Sequence, residues 1–173
     1  MNNKSKLREW FSIVVIAILL SILVRTFLFE IYVVEGISMV PTLNDKERII
    51  VTKTHNTISD YNRGDIIVID FSKDYGKDIV KRIIAVAGDT IEICEGKVMV
   101  NGNNIAEDYL NQLTEGRYEL ATVPAGAVFV MGDNRSHSLD SRDTRIGFIT
   151  ETQIKGKAVW AIWPPRSWHS LKN

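Results

Sequence analysis

Between Arg48 and Trp163 turn residues cut the chain into short β-branched runs, and no helical period survives along it. The runs are Arg48 to Lys53, Asp65 to Phe71, Ile79 to Ala87, Thr90 to Ile93, Lys97 to Val100, Ala127 to Met131 and Lys157 to Trp163. Between them lie Asn44-Asp45, Arg63-Gly64-Asp65, Gly88-Asp89, Glu95-Gly96, Asn101-Gly102 and Pro124-Ala125-Gly126, residue types that reverse a chain at low steric cost. The pattern predicts an all-β fold of antiparallel strands. No repeat or low-complexity linker interrupts residues 31–173, so they are expected to form one catalytic-size domain.

Ahead of that domain the pattern differs. Trp10 to Val24 holds only two serines among apolar residues, and Phe27-Leu28-Phe29 resumes after Arg25-Thr26. Trp10 to Phe29 is twenty residues, roughly 30 Å as a helix, which matches the hydrocarbon thickness if Arg25 snorkels to the headgroups. Lys4, Lys6 and Arg8 precede the run, so the positive-inside rule keeps the N-terminus cytoplasmic and sends residues 31–173 across the membrane. The residues after the run show no A-x-A pattern, which favours an uncleaved anchor over a removed secretory signal. A core helix would not need apolar side chains on every face. The expectation is a basic tail and single transmembrane helix over 1–30, then an extracytoplasmic domain over 31–173.

The chain's 173 residues leave room for one compact core. Lys plus Arg and Asp plus Glu each number 21, and residues 31–173 retain 17 basic against 19 acidic residues, so nothing argues for nucleic acid as a partner. A single cysteine, Cys94, excludes an internal disulfide framework and reads as a buried strand thiol. Three scattered histidines point away from a histidine-rich metal site, and no metal or cofactor is expected. Trp160, Trp163 and Trp168 near the C-terminus read either as core residues or as an aromatic patch in the lipid interface.

Three segments are not explained by strand building. In Gly36-Ile37-Ser38-Met39-Val40-Pro41-Thr42-Leu43, a glycine two residues before a serine lets backbone approach a reacting atom, and a turn hydroxyl is the plain alternative. In Asp78 to Asp89, strand alternation puts Lys81 on one face with Ile79, Ile83, Ala85 and Ala87. A free lysine is neutral in only about one molecule in 10³ at neutral pH, and burial is what makes it a base. An edge-strand lysine reaching into water is the alternative, and Lys53, Lys73 and Lys77 among polar neighbours are expected to stay charged. The third segment, Gly132 to Asp143, is dense in turn formers and paired charges; Asp140 and Arg142 suit a bidentate clamp. A calcium loop and a solvated loop are its other readings.

Taken in order, serine before Met-x-Pro-Thr-Leu, then Lys-Arg-Ile-Ile-Ala with Gly-Asp, then Gly-Asp-Asn-Arg and Ser-x-Asp-Ser-Arg resemble the bacterial type I signal peptidases, Gram-positive short form. The resemblance covers Val33 to about Gly156. It implies a membrane-bound serine endopeptidase with a Ser-Lys dyad that removes signal peptides from exported preproteins, near the secretion translocon. By motif position Ser38 resembles the nucleophile, Lys81 the general base and Ser138 the hydroxyl that orients the lysine amine. Asp140 and Arg142 resemble a structural ion pair beneath the site, Met39 and Arg82 the residues flanking the dyad, and Asp133 a residue supporting its geometry. Two departures stand out: Gly36 replaces a serine that in some members donates to the oxyanion, and Ala87 replaces a common proline.

Rival readings are a Ser-His mechanism using His137, with His55 and His169 also available, and a self-cleaving repressor, whose class carries a DNA-binding domain where this chain has an apolar run. An anchored β-rich binding module or an inactive peptidase relative is the alternative from outside active enzymes.

Overall fold

The computed structural model describes residues 3–53, 57–72, 76–110 and 112–171. His55 and Lys73 lie outside the described residues, as do the side chains of Lys4 and Arg25. Helix α1 spans Asn3–Phe27. Twelve strands follow among the described residues: β1 Phe29–Val33, β2 Arg48–Thr52, β3 Ile66–Ile69, β4 Ile79–Val86, β5 Thr90–Cys94, β6 Lys97–Val100, β7 Asn103–Asn104, β8 Tyr118–Thr122, β9 Ala127–Met131, β10 Ile149–Thr150, β11 Ile154–Trp163 and β12 His169–Ser170. Short 3-10 turns join several of them.

All strand pairs are antiparallel, in keeping with the alternating runs and tight turns. One sheet has the order β1-β2-β11-β3-β4-β9-β10, with β12 paired to β11, and a smaller one has the order β7-β6-β5-β8. Every expected run contains a strand. β1, β7, β8, β10 and β12 were not expected: β7, β10 and β12 have two residues each, and β8, Tyr-Glu-Leu-Ala-Thr, carries little β-branched character. β1 begins at Phe29, inside the stretch assigned to the anchor, because its backbone pairs with β2 from Phe29↔Thr52 to Val33↔Arg48.

Strand alternation explains where the core lies. In β3, Ile66 and Val68 join Met39, Leu43 and Ile49 in one cluster, while Ile67 and Ile69 join Ile83 and Val130 in a second. β9 repeats the device, with Val128 and Val130 in the second cluster and Phe129 and Met131 in a third under the small sheet. Strands buried on both faces read as continuous apolar runs, which is why Ile-Ile-Val-Ile and Ala-Val-Phe-Val-Met lack polar alternation.

Three expectations need correction. The face assigned to Lys81 holds through Ile83 but not to Ala85, because the β4–β9 register shifts between them and Ala85 turns into the third cluster. The tryptophans are not core residues: Trp160, Trp163 and Trp168 are 46%, 52% and 68% exposed. Cys94 is half-buried at the end of β5 rather than enclosed. For the expected anchor, no helix among the described residues is long and apolar enough to cross a membrane.

Candidate active site

The loop between β1 and β2 carries Ser38, and its backbone is held on both sides of that residue. Val34 N–H donates to Glu47 O (2.8 Å) and Lys46 N–H to Val34 O (2.8 Å), closing the loop at its base. Met39 and Leu43 sink into the first core cluster, and Leu43 N–H donates to Met39 O (2.9 Å). The Val40–Pro41 peptide is cis. Ser38, between the buried Met39 and the exposed Ile37, therefore sits half-buried on a pinned turn. Gly36 has φ +87° and its N–H donates to Asp45 Oδ1 (2.7 Å); a side chain at that φ is strained although the space beside it is open.

Lys81 reaches this turn from β4, where it pairs with Ile67 of β3. Its Nζ lies 2.7 Å from Ser38 Oγ and 3.1 Å from Val80 O. The residue is 3% exposed. Burial pushes the amine down from 10.5 to about 8; Asp140 and Asp133 oppose the shift, and Lys77 and Arg142 add to it. A cleft of about 280 Å³ contains both residues and is walled by Met39, Ile79, Leu139 and Ile146.

The residues around the pair are organised by charge. Arg82, next to Lys81, is buried and grips Asp133 through Nε (2.9 Å) and Nη2 (2.7 Å). Asp133 also accepts from Thr42 Oγ1 (2.5 Å), tying the serine loop to the Gly132–Asp133 turn. The next residue completes that link: Asn134 N–H donates to Ser38 O (2.9 Å) and its Nδ2 to Ile37 O (3.1 Å). Asp140 accepts from Arg142 Nε (2.8 Å) and Nη2 (3.0 Å) and from Gly132 N–H (3.0 Å). Gly132 is needed because a Cβ there would collide with Ser138 Oγ and lie 2.5 Å from the Ser38 carbonyl oxygen.

Of the expected residues, Gly36, Ser38, Met39 and Lys81 line this cleft; Arg82 and Asp133 pair behind it, and Ser138, Asp140 and Arg142 line a separate pocket. Ser138 departs from its expected role, since among the described residues its buried Oγ has no hydrogen-bond partner and does not hold the lysine amine. His137 lines the cleft, but its ring engages Ser136 Oγ (3.2 Å) and Asn134 Oδ1 (3.3 Å), not Ser38. His169 bonds Ser167 O at 2.8 Å. The carboxylates of the calcium reading are held by arginines instead: Asp133 by Arg82, Asp140 by Arg142 and Asp143 by Arg145.

Thr42, Asn134 and Arg135 stood within the singled-out segments without a role. Glu107 and Tyr109 carried no sequence signal, because they lie in an irregular stretch whose partners are distant in the chain.

Residues 7–163 match the family described as signal peptidase, peptidase S26. The chain belongs to the S26 signal peptidase family. It is 38% identical to a signal peptidase I of Bacillus licheniformis over 173 aligned positions, covering 94% of this chain and 92% of that one. Against signal peptidase I T of Bacillus subtilis (strain 168) the identity is 42% over 168 positions, covering 90% and 85%. A crystal structure of a signal peptidase I from Enterococcus faecalis V583 aligns with TM-score 0.49 and 30% identity, covering 56% of this chain and 95% of that one. This S26 chain is accordingly a signal peptidase I in activity class, a hydrolase of the serine peptidase type acting on signal peptides. Membership sets aside the repressor and the binding module.

Proposed function

We propose that this chain is a membrane-anchored endopeptidase that cuts signal peptides from exported preproteins after small residues of the A-x-A type, with Ser38 as nucleophile and Lys81 as general base. The observation that carries the proposal is a desolvated lysine amine 2.7 Å from a serine hydroxyl at the floor of a cleft.

In the reacting state Lys81 is a neutral amine whose N–H donates to Val80 O while its lone pair faces Ser38. It takes the Ser38 proton as Oγ adds to the scissile carbonyl carbon. Among the described residues no acceptor is bonded to the Ser38 N–H, which leaves it free to donate to the developing oxyanion. Collapse of the tetrahedral intermediate breaks the C–N bond, the Lys81 ammonium gives its proton to the departing amine, and an ester to Ser38 remains. Lys81, neutral again, takes a proton from water as that water attacks the ester, releasing the signal peptide with a free carboxylate and restoring Ser38. The apolar walls and modest volume of the cleft suit small side chains before the cut.

Two features support a bilayer partner. Trp10, Phe11 and Ile13 of α1 are 69%, 71% and 60% exposed, so this helix has apolar surface that its own chain does not cover. On the outward face of the large sheet, Ile31, Ile50 and Trp160 align across β1, β2 and β11, and Val33, Arg48 and Trp163 form the next row. Together they suit a domain resting on the outer surface of the cell membrane, tethered by α1 with the N-terminus inside.

The test is cleavage of one purified preprotein, with mass analysis of the new N-terminus. Wild type is expected to cut after a small residue, while Ser38→Ala and Lys81→Ala are inert. Equal cleavage when the residue before the cut is changed from Ala to Leu refutes the specificity, an active Ser38→Ala enzyme refutes the dyad, and a folded wild type that leaves the preprotein uncut leaves the inactive-relative reading in its place.

A further inference from the structure

Two arginines underlie the site: Arg82, beside the base, and Arg135, beneath the Gly132–Ser138 turn. Arg135 is 2% exposed, and its Nε donates to Gly132 O (3.2 Å). Both arginines are met from outside by the stretch that joins β7 to β8 within the small sheet. The Tyr109 ring covers the Arg82 guanidinium, whose carbon lies 4.0 Å from the ring centroid. Tyr109 OH donates to Glu107 Oε1 (2.6 Å), and the same carboxylate accepts from Arg135 through Nη1 (3.1 Å) and Nη2. Thr114 Oγ1 accepts from Arg135 as well, and Gln112 Nε2 donates to Ser136 Oγ (3.0 Å). Backbone bonds from Ile105 N–H to Val98 O (3.1 Å) and from Thr114 N–H to Gly96 O (3.4 Å) fasten both ends of this stretch to the β5–β6 hairpin.

We propose that Glu107 and Tyr109 are positioning residues for the Ser38–Lys81 pair: together they brace Arg82 and Arg135, and through them the serine loop, the base strand and the Gly132–Ser138 turn. The inference rests on the dyad reading above. Arg82 alone contacts three separate segments, at Thr42 Oγ1 (3.3 Å), Gly64 O (2.9 Å) and Asp133. A guanidinium that shifts therefore moves Asp133, and with it Asn134, whose N–H holds the Ser38 carbonyl. The aromatic face resists such a shift by cation–π attraction on a desolvated cation. Burial raises the Tyr109 phenol, so its hydroxyl remains a donor to Glu107. Glu107 in turn places one negative charge against the Arg135 guanidinium, where an unpaired buried cation would be costly. Neither residue touches the cleft, so substrate binding should be unaffected while the alignment of nucleophile and base is loosened.

The experiment measures kcat and KM for preprotein cleavage by wild type, Tyr109→Phe, Tyr109→Leu, Glu107→Gln and Ser38→Ala, with near-ultraviolet circular dichroism to verify folding. Tyr109→Leu is expected to lower kcat about 10-fold with KM within about twofold, because small misalignments of reacting groups act on the chemical step. Tyr109→Phe keeps the ring and is expected to stay within about threefold of wild type, and Glu107→Gln to lose about fivefold in kcat. A folded Tyr109→Leu enzyme with unchanged kcat, a loss confined to KM, or a Phe variant as impaired as the Leu variant overturns the proposal. If Tyr109→Leu does not fold, Glu107→Gln decides, and wild-type kcat there overturns it. Cleavage by Ser38→Ala equal to wild type defeats the dyad reading and this inference with it, whereas Ser38-dependent cleavage with unaltered Tyr109 and Glu107 variants defeats this inference alone.

Discussion

Burial of Lys81 has two consequences of opposite kind, one for rate and one for stability, and both follow from the same displacement of its pKa from 10.5 to about 8. At pH 7 a group titrating at 8 is neutral in about a tenth of molecules, against roughly 1 in 3,000 for an unperturbed lysine, so burial raises the supply of free base about 300-fold. kcat/KM, which reports the free enzyme, should rise tenfold per pH unit up to about pH 8 and level off above it. The unfolded chain holds this proton more tightly than the folded one, so the stability penalty is fully present below about pH 8, fades as pH rises, and is gone above 10.5. A shift of 2.5 units corresponds to about 3 kcal/mol. Lys81→Met removes the amine and keeps an unbranched side chain. Relative to wild type its stability advantage should be about 3 kcal/mol larger at pH 7 than at pH 10.5, whatever constant offset comes from losing the contacts to Ser38 and Val80. Urea denaturation in detergent across that range measures the difference, and initial rates on a preprotein measure the profile. A kcat/KM that is flat from pH 6 to 8, or a Lys81→Met stability difference independent of pH, refutes the desolvated-base argument.

Other perturbations probe the surrounding frame. Asp133→Ala leaves the buried Arg82 guanidinium without its carboxylate and should cost about 3–5 kcal/mol in denaturant unfolding; a loss below 1 kcal/mol would show that Arg82 is satisfied without it. Gly132→Ala places a methyl group against Ser138 Oγ and the Ser38 carbonyl and should lower both thermal stability and cleavage rate, whereas wild-type values would show that the turn yields. His137→Ala should retain most activity, because its ring is bonded to Ser136 and Asn134; a folded but inert variant would restore a histidine base. In a Trp10→Phe background reconstituted in vesicles, fluorescence of Trp160, Trp163 and Trp168 should be quenched by lipids brominated high on the acyl chain, and absence of quenching would place this face in water.

The strand content of the central chain was determined locally. Runs such as Ile66–Ile69 and Ala127–Met131 are bounded by turn residues whose preferences act within a few positions, so their extent needed no knowledge of neighbours. The chemistry-bearing segments were legible too, since a lysine on an apolar strand and a loop crowded with charge conflict with strand building wherever they fold. Everything that turns those segments into a site depended on distant pairing. Ser38 and Lys81 are 43 positions apart and meet because β3 and β4 carry the lysine beneath a serine loop pinned by Met39 and Leu43. The register shift after Ile83 redirects Ala85, which strict alternation placed beside Lys81, because a bulge depends on the partner strand rather than on the run itself. Asp133 pairs with Arg82, and Glu107 with Arg135, across 51 and 28 positions, because a buried guanidinium takes whichever carboxylate the fold brings within reach. Trp160 and Trp163 are exposed for the same reason: hydrophobicity marks a side chain for burial, but the sheet packs only one face of β11 at those positions, and only the assembled fold shows which side chains turn outward.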